Sequence, residues 1–336
     1  MDSQSLTYQR KKRNYSSRKL ILFGRNSSMV LQVTEYKVPQ NSSGRADKLL
    51  AEAFPETSRS LIKQSIDAGK TFRKNGSKLE PKTKLEPGEV LIIDLSRPEV
   101  TSLVPYETNL NIFHEDEDLI VLNKPSGMVV HPGDGTDEKT LVHALLHHCP
   151  GELCPVGAPS RPGIVHRLDK ETSGVMIVAK KETSHHQLVE QFSKRKVTKI
   201  YTALVGGRMK YDSGSFSGPI ARHPKIRVKM AVQASGKRAL THWKLKRYFT
   251  DKASLVECDL KTGRTHQIRV HFANEGHPLL GDYTYGYNPN KYRFEKADRI
   301  MLHASEITFV HPSSGKVMYF SSPIPPCMKS FLEELR

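Results

Sequence analysis

The stretch Arg161-Pro-Gly-Ile-Val-His-Arg-Leu-Asp-Lys-Glu-Thr-Ser-Gly-Val-Met-Ile-Val-Ala-Lys180 sets a charged, polar run directly against an apolar one. Loops held at the end of a rigid strand are common seats of catalytic side chains. Asp169 is the group in this run most suited to chemistry. Arg161, Arg167 and Lys170 stand close to it in sequence, and a cationic setting keeps a carboxylate ionised, the form that a nucleophile requires. A structural ion-pair loop is the plain alternative for the same residues. Further along, Tyr201 lies in Lys199-Ile-Tyr-Thr-Ala-Leu204, where it alternates with apolar neighbours and reads equally as a core tyrosine. Arg264, His266, Ile268 and Arg269 fall in Lys261-Thr-Gly-Arg-Thr-His-Gln-Ile-Arg-Val-His271. There Arg269 reads equally as a surface residue of an amphipathic helix, and Arg264 and His266 offer donors to a phosphate.

Other chemistries find less support. His143, His147, His148, Cys149 and Cys154 cluster in sequence, but their spacing is not a standard zinc pattern, and Leu145 and Leu146 mark a packing helix. The chain has neither a Gly-x-x-x-x-Gly-Lys phosphate loop nor a His-Glu-x-x-His helix.

Strands are expected over 119–123, 174–179, 199–205, 239–248, 254–260, 301–308 and 316–320, and helices over 140–148, 182–193, 265–274 and 326–335. Strands follow strands directly, as in 239–260, so the fold expected is α+β, with a mixed, largely antiparallel central sheet. Residues 44–97 form a separate compact unit of two short helices and a small sheet, with turns at Asn75-Gly76 and Pro87-Gly88. Arg59, Lys63, Lys70, Arg73 and Lys74 edge it and make a plausible surface for docking RNA. A strand over 30–38 places the start of this domain at residue 29. The basic residues 1–28 are expected to form a disordered extension with no folded core, with Met29 as an alternative true start. Residues 98–110, with two prolines, read as a linker to a catalytic domain over 111–336.

Charge limits the partners. The 52 Lys and Arg against 35 Asp and Glu leave a formal net charge of +17, which favours a polyanion. The 4 cysteines do not make a secreted framework, and no apolar run approaches the roughly 20 residues of a spanning helix. A cytoplasmic protein with no membrane association is expected.

His166-Arg-Leu-Asp-x-x-Thr-Ser-Gly174, followed by an apolar run and Lys180, resembles the signature of the RluA family of pseudouridine synthases. Five more segments fit in the same order: 119–128 with Val130-His131-Pro132, 199–204, 236–241, 261–271 and 278–283. The resemblance spans about residues 30–325 and is greatest to the members that act on large-subunit ribosomal RNA. The unit at 29–97 resembles the S4 RNA-binding domain, although Lys74 stands where that family usually has valine. The resemblance implies an isomerase that needs no cofactor or metal and acts on structured RNA, with ribosomal RNA foremost and transfer RNA open, as a monomer with no obligate protein partner. It implies that Asp169 is the nucleophile, displacing uracil from C1′, with attack on the base as the rival route. Arg167 would fill the gap left by an extruded uridine, Tyr201 would stack on the uracil and handle a proton, and Arg269 would hold Asp169 through a bidentate pair. Ile268, His166 and Arg264 would contact the substrate. A binding protein without activity, or a glycosylase using the same aspartate, would differ in product: none, or free uracil.

Overall fold

The computed structural model describes residues 17–22, 31–95 except 56 and 58, 103–133, 136, 139–157, 160–226, 228–249, 252–292 and 297–334. The chain divides into two units, residues 1–98 and 99–336. The first holds β1 (Ser17–Leu22), β2 (Leu31–Lys37), β3 (Gly44–Arg45), α1 (Ala46–Ala53), α2 (Arg59–Asp67), β4 (Phe72–Arg73), β5 (Lys84–Leu85) and β6 (Val90–Asp94). Its main sheet runs β1-β2-β6-β4. The apolar faces of the two helices explain the unit: Leu49, Leu50, Ile62 and Ile66 pack with Tyr36, Leu91 and Ile93 of the sheet. One expectation is corrected here. Within the basic segment 1–28, Ser17–Leu22 is an edge strand, antiparallel to β2 with Leu20 opposite Val33. The rest of that segment lies outside the described residues.

The second unit contains β7 (Asn111–Glu115), β8 (Leu119–Lys124), α3 (Leu141–His148), β9 (Ser173–Ala179), α4 (Glu182–Ser193), β10 (Thr198–Gly206) and β11 (Ser213–Phe216). There follow β12 (Ile220–Arg222), β13 (Met230–Val232), β14 (Thr241–Phe249), β15 (Ala253–Leu260), α5 (Gln267–Asn274), a 3-10 turn (Tyr283–Tyr285), α6 (Pro289–Tyr292), β16 (Leu302–Val310), β17 (Val317–Ser321) and α7 (Pro326–Glu334). A 9-stranded sheet in the order β11-β14-β15-β10-β16-β9-β8-β7, with β17 beside β16, forms its centre. All its pairings are antiparallel except β9 with β16.

β8 and β9 show why the unbroken apolar runs of the sequence become central strands. Ile120, Leu122, Met176 and Val178 face one core, whereas Leu119, Val121, Val175, Ile177 and Ala179 face another. With a side-chain period of 2, a strand covered on both faces must be apolar at every position. The first core also receives Tyr201, Val256, Ile268 and Phe272, so the sheet and α5 share one apolar interior.

Two local features prepare the site. The register of β10 against β16 shifts between Ile200, opposite Glu306, and Tyr201, opposite Ala304. This bulge leaves Ser305 as the extra residue, and its hydroxyl donates to the Ile200 carbonyl at 3.1 Å. Bulges re-aim neighbouring side chains, and here the neighbour is Tyr201. At the start of β9, Gly174 has φ +120 and lies against β16 so closely that a Cβ would stand 2.2 Å from the Ala304 carbonyl oxygen. That contact explains the glycine that closes the Thr-Ser-Gly run. Gly174→Ala should destabilise the unit by about 3 kcal/mol, combining backbone strain with overpacking. Urea unfolding followed by fluorescence of Trp243, the 1 tryptophan of the chain, checks it, and an unchanged midpoint would contradict the packing argument.

Candidate active site

A cleft of about 460 Å³ opens at one end of β10 and β15 and is lined by His166, Arg167, Asp169, Tyr201, Arg264, His266, Ile268 and Arg269. Asp169 stands in the turn that leads into β9, where the Thr172 amide donates to its carbonyl at 3.1 Å. Cations buried behind this turn hold it. The Lys124 ammonium donates to the carbonyls of Pro125, Met128 and Lys170 at 2.7, 2.8 and 3.1 Å. Burial first, and Arg299 second, pull the pKa of Lys124 down to about 7. Its three carbonyl acceptors nevertheless match the three protons of an ammonium. Arg299 donates to the Glu171 carbonyl at 3.1 Å and to the Ser173 hydroxyl at 2.9 Å. The Asp169 side chain projects from this braced turn and keeps 18% exposure.

Arg269 enters from the first turn of α5, which buries Ile268 beside it. Its contact with Asp169 is single: Nη1 lies 3.4 Å from Oδ2. The bidentate partner is Asp282, which receives Nε at 2.7 Å and Nη2 at 3.0 Å. This corrects the expectation of a bidentate Arg269–Asp169 pair. Gly281 permits the arrangement: φ is +80, and a Cβ there would fall 1.9 Å from the Arg299 carbonyl oxygen. The ring of Tyr285 covers the guanidinium at 4.9 Å. Asp282 and Tyr285 were not singled out from the sequence. The Gly281-Asp282 pair within the motif at 278–283 was the available signal.

Tyr201 is buried at 7% exposure. Burial, and after it the charge of Asp169, push its phenol well above the ordinary range, so it stays protonated near neutral pH. Arg167 is exposed, and its Nη1 donates to His131 Nε2 at 3.2 Å. His131 in turn donates from Nδ1 to the Pro132 carbonyl at 3.0 Å.

His166 serves the scaffold more than the cleft. Its Nε2 accepts the Ile177 amide at 2.9 Å and its ring stacks on Phe192 at 4.6 Å. Enclosure pushes its pKa down to about 3, so the ring is a neutral strut under the Arg167–Asp169 loop. Arg264 is fixed through Nε to the Arg238 carbonyl at 3.2 Å.

His143 and His148 of α3 and the two cysteines that follow the helix are engaged separately. His143 completes a capping box with Thr140, and His148 pairs with Glu115 at 2.7 Å. Cys149 and Cys154 belong to different cores.

Among the N-terminal docking candidates, Arg59 pairs with Asp47, Arg73 with Glu89 and Lys74 with Glu35, at 2.9, 2.9 and 3.0 Å. Lys63 and Lys70 are exposed.

Comparison with known proteins identifies relatives of the chain. The family model described as RNA pseudouridylate synthase matches residues 118–274. A protein of Aquifex aeolicus described as an RNA pseudouridine synthase is 44% identical over 313 residues, covering 91% of this chain and 98% of its own. The ribosomal large subunit pseudouridine synthase D of Escherichia coli is 40% identical, over 89% of this chain and 93% of its own. Its namesake in Zymomonas mobilis is 39% identical, over 87% and 93%. The solved structure of human RNA pseudouridylate synthase domain containing 1 superposes with a TM-score of 0.52 at 26% identity, covering 68% of this chain and 94% of that one. With the fold, the cleft and these relatives in agreement, the chain belongs to the RNA pseudouridine synthase family.

Proposed function

We propose that this enzyme isomerises uridine in large-subunit ribosomal RNA, with Asp169 as its nucleophile. The observation that carries the reading is the placement of the Asp169 carboxylate in the cleft, 3.4 Å from Arg269 and lining it together with Tyr201 and Ile268. The substrate class rests on the relatives named ribosomal large subunit pseudouridine synthase D, matched over most of both chains, and on the net charge of +17. The enzyme acts as a single chain, in the cytoplasm.

A stacked uridine hides its glycosidic bond, so it must be swung out at a cost of a few kcal/mol. Arg167 fills the vacancy, since a guanidinium plane stacks and donates. The uracil enters the cleft against Tyr201 and Ile268. An Asp169 oxygen bonds to C1′ as the C1′–N1 bond breaks, and the uracil leaves with the electron pair on N1. Developing positive charge on the sugar favours the adjacent carboxylate. The freed base turns, C5 bonds to C1′, and Asp169 leaves. C5 then loses its proton and N1 gains one, so the product is an isomer. The raised pKa of Tyr201 suits a protonated phenol that packs on the base and donates.

Asp169→Asn should abolish pseudouridine formation while leaving RNA affinity within about twofold, because the change is isosteric. Product analysis by mass spectrometry and filter binding checks both, and a mutant that still forms product would defeat the assignment. Asp282→Ala should lower turnover about 100-fold and stability by about 3 kcal/mol, since it strands a buried guanidinium. Near-normal turnover would mean that Arg269 needs no such anchor. In the N-terminal unit, Lys63→Gln with Lys70→Gln should flatten the slope of log Kd against log salt by about 1.5, as two phosphate contacts stop releasing counterions. An unchanged slope would remove these two lysines from the RNA surface. Mapping pseudouridines in RNA from cells with and without the gene distinguishes large-subunit from transfer RNA targets.

A further inference from the structure

Among the described residues His266 is one of two other than glycine with positive φ, at +55, the other being Arg195 after α4. A left-handed residue is ordinary just past a helix end, where Arg195 sits. At the N-terminal flank of α5 it is not, and strain of this kind concentrates at functional sites. The conformation turns the His266 ring toward the hydroxyl of Tyr285, 2.7 Å from Nδ1.

The hydrogen bonds at that hydroxyl favour one tautomer. The Met230 amide must donate, and it donates to the Tyr285 oxygen at 2.8 Å. Among the described residues the one acceptor within reach of the hydroxyl's own proton is His266 Nδ1. A neutral imidazole that accepts at Nδ1 carries its proton on Nε2. Among the described residues Nε2 has no partner, and His266 lines the cleft that holds Asp169. Burial lowers the pKa of His266, consistent with a neutral ring.

From this we infer that His266 is a substrate-binding residue whose Nε2–H donates to a phosphate oxygen next to the extruded uridine, and that Tyr285 is the positioning residue that fixes its tautomer and aim. Phosphate is the chemistry favoured because Arg167, Arg195, Lys199 and Arg264 line the same cleft. Among the described residues no carboxylate pairs with Lys199, which shares a face of β10 with Tyr201. The same short turn therefore does three tasks: Asp282 anchors Arg269, the Tyr285 ring covers that guanidinium, and the Tyr285 hydroxyl aims His266. The inference rests on the pseudouridine synthase reading of the cleft.

The test uses the full chain and a transcript of unmodified large-subunit ribosomal RNA. His266→Gly keeps the left-handed backbone and removes the donor, so Kd and KM should rise about tenfold with kcat within about twofold. His266→Asn tolerates the same φ and supplies an amide donor, so it should restore Kd to within about threefold of the parent. Tyr285→Phe retains the ring over Arg269 and should raise KM about threefold, yet add nothing in the His266→Gly background. A purely structural role for the hydroxyl would instead persist in that background. Unchanged Kd and KM in His266→Gly, or an additive Tyr285→Phe, would overturn the proposal, whatever Asp169→Asn does to turnover. Retained turnover in Asp169→Asn would overturn the nucleophile assignment, and the Kd of His266→Gly would still decide this one.

Discussion

One guanidinium, that of Arg269, is shared unequally by two carboxylates, and the cleft is organised around that inequality. Asp282, at 1% exposure, takes the bidentate grip, and Asp169 takes one longer contact. A fork-to-fork pair is the stronger and more directional form of this interaction, so Arg269 is positioned by Asp282 and not by the group it faces. The consequence is chemical. In the nucleophile role proposed for Asp169, an oxygen engaged by two strong hydrogen bonds would have its lone pairs occupied. The single 3.4 Å contact offers Asp169 a compensating charge while leaving its oxygens available.

The same economy appears behind the loop. Lys124 and Arg299 are buried, yet their hydrogen-bond partners are mainly backbone carbonyls and a serine hydroxyl. Burying a cation without a bidentate carboxylate is costly. Here it places Arg299, and Lys124 in its ammonium form, beneath the Asp169 turn while its carbonyls are held in place. Carbonyl partners satisfy the donors without cancelling the field, so the turn is rigid and its surroundings remain cationic. Lys124 also links this turn to the 125–128 turn after β8, which is why distant stretches of sequence must be kept together.

Much of this was legible in the residues. Helix α4 spans the same residues that periodicity suggests, and β8, β9, β10, β14, β15, β16 and β17 begin and end within two residues of the expected strands. β8 and β9 carry continuous apolar runs and β15 alternates along most of its length, the patterns that depend least on tertiary context. What escaped depends on partners. β7, Asn-Ile-Phe-His-Glu, has polar ends and only a partly buried middle, and β11 is Ser-Gly-Ser-Phe, so neither has a pattern without its neighbour. The parallel contact of β9 with β16 and the bulge at Tyr201 arise from register, which no local pattern encodes. At the site, the motif brought Asp169, Arg269, Tyr201 and Ile268 to notice together. The bidentate anchor was misassigned because two aspartates compete for one arginine, and sequence order cannot rank distances.

The Arg167 contact carries the argument to substrate entry. In the mechanism proposed above Arg167 leaves the protein surface for an RNA stack, and a side chain with that task should be held weakly in the free enzyme. Arg167 leans on a neutral imidazole, His131, whose ring is oriented by its own bond to Pro132, and burial keeps the pKa of that imidazole low. A hydrogen bond of this kind contributes on the order of 1–2 kcal/mol, whereas a buried carboxylate partner would hold the arginine far more firmly. His131 thus gives Arg167 a defined resting place that stacking and phosphate contacts can outcompete. Arg269 is the opposite case, gripped bidentately by the buried Asp282 carboxylate. The two arginines differ in the charge of their partners, and in the proposed mechanism that difference separates the group that moves from the group that stays.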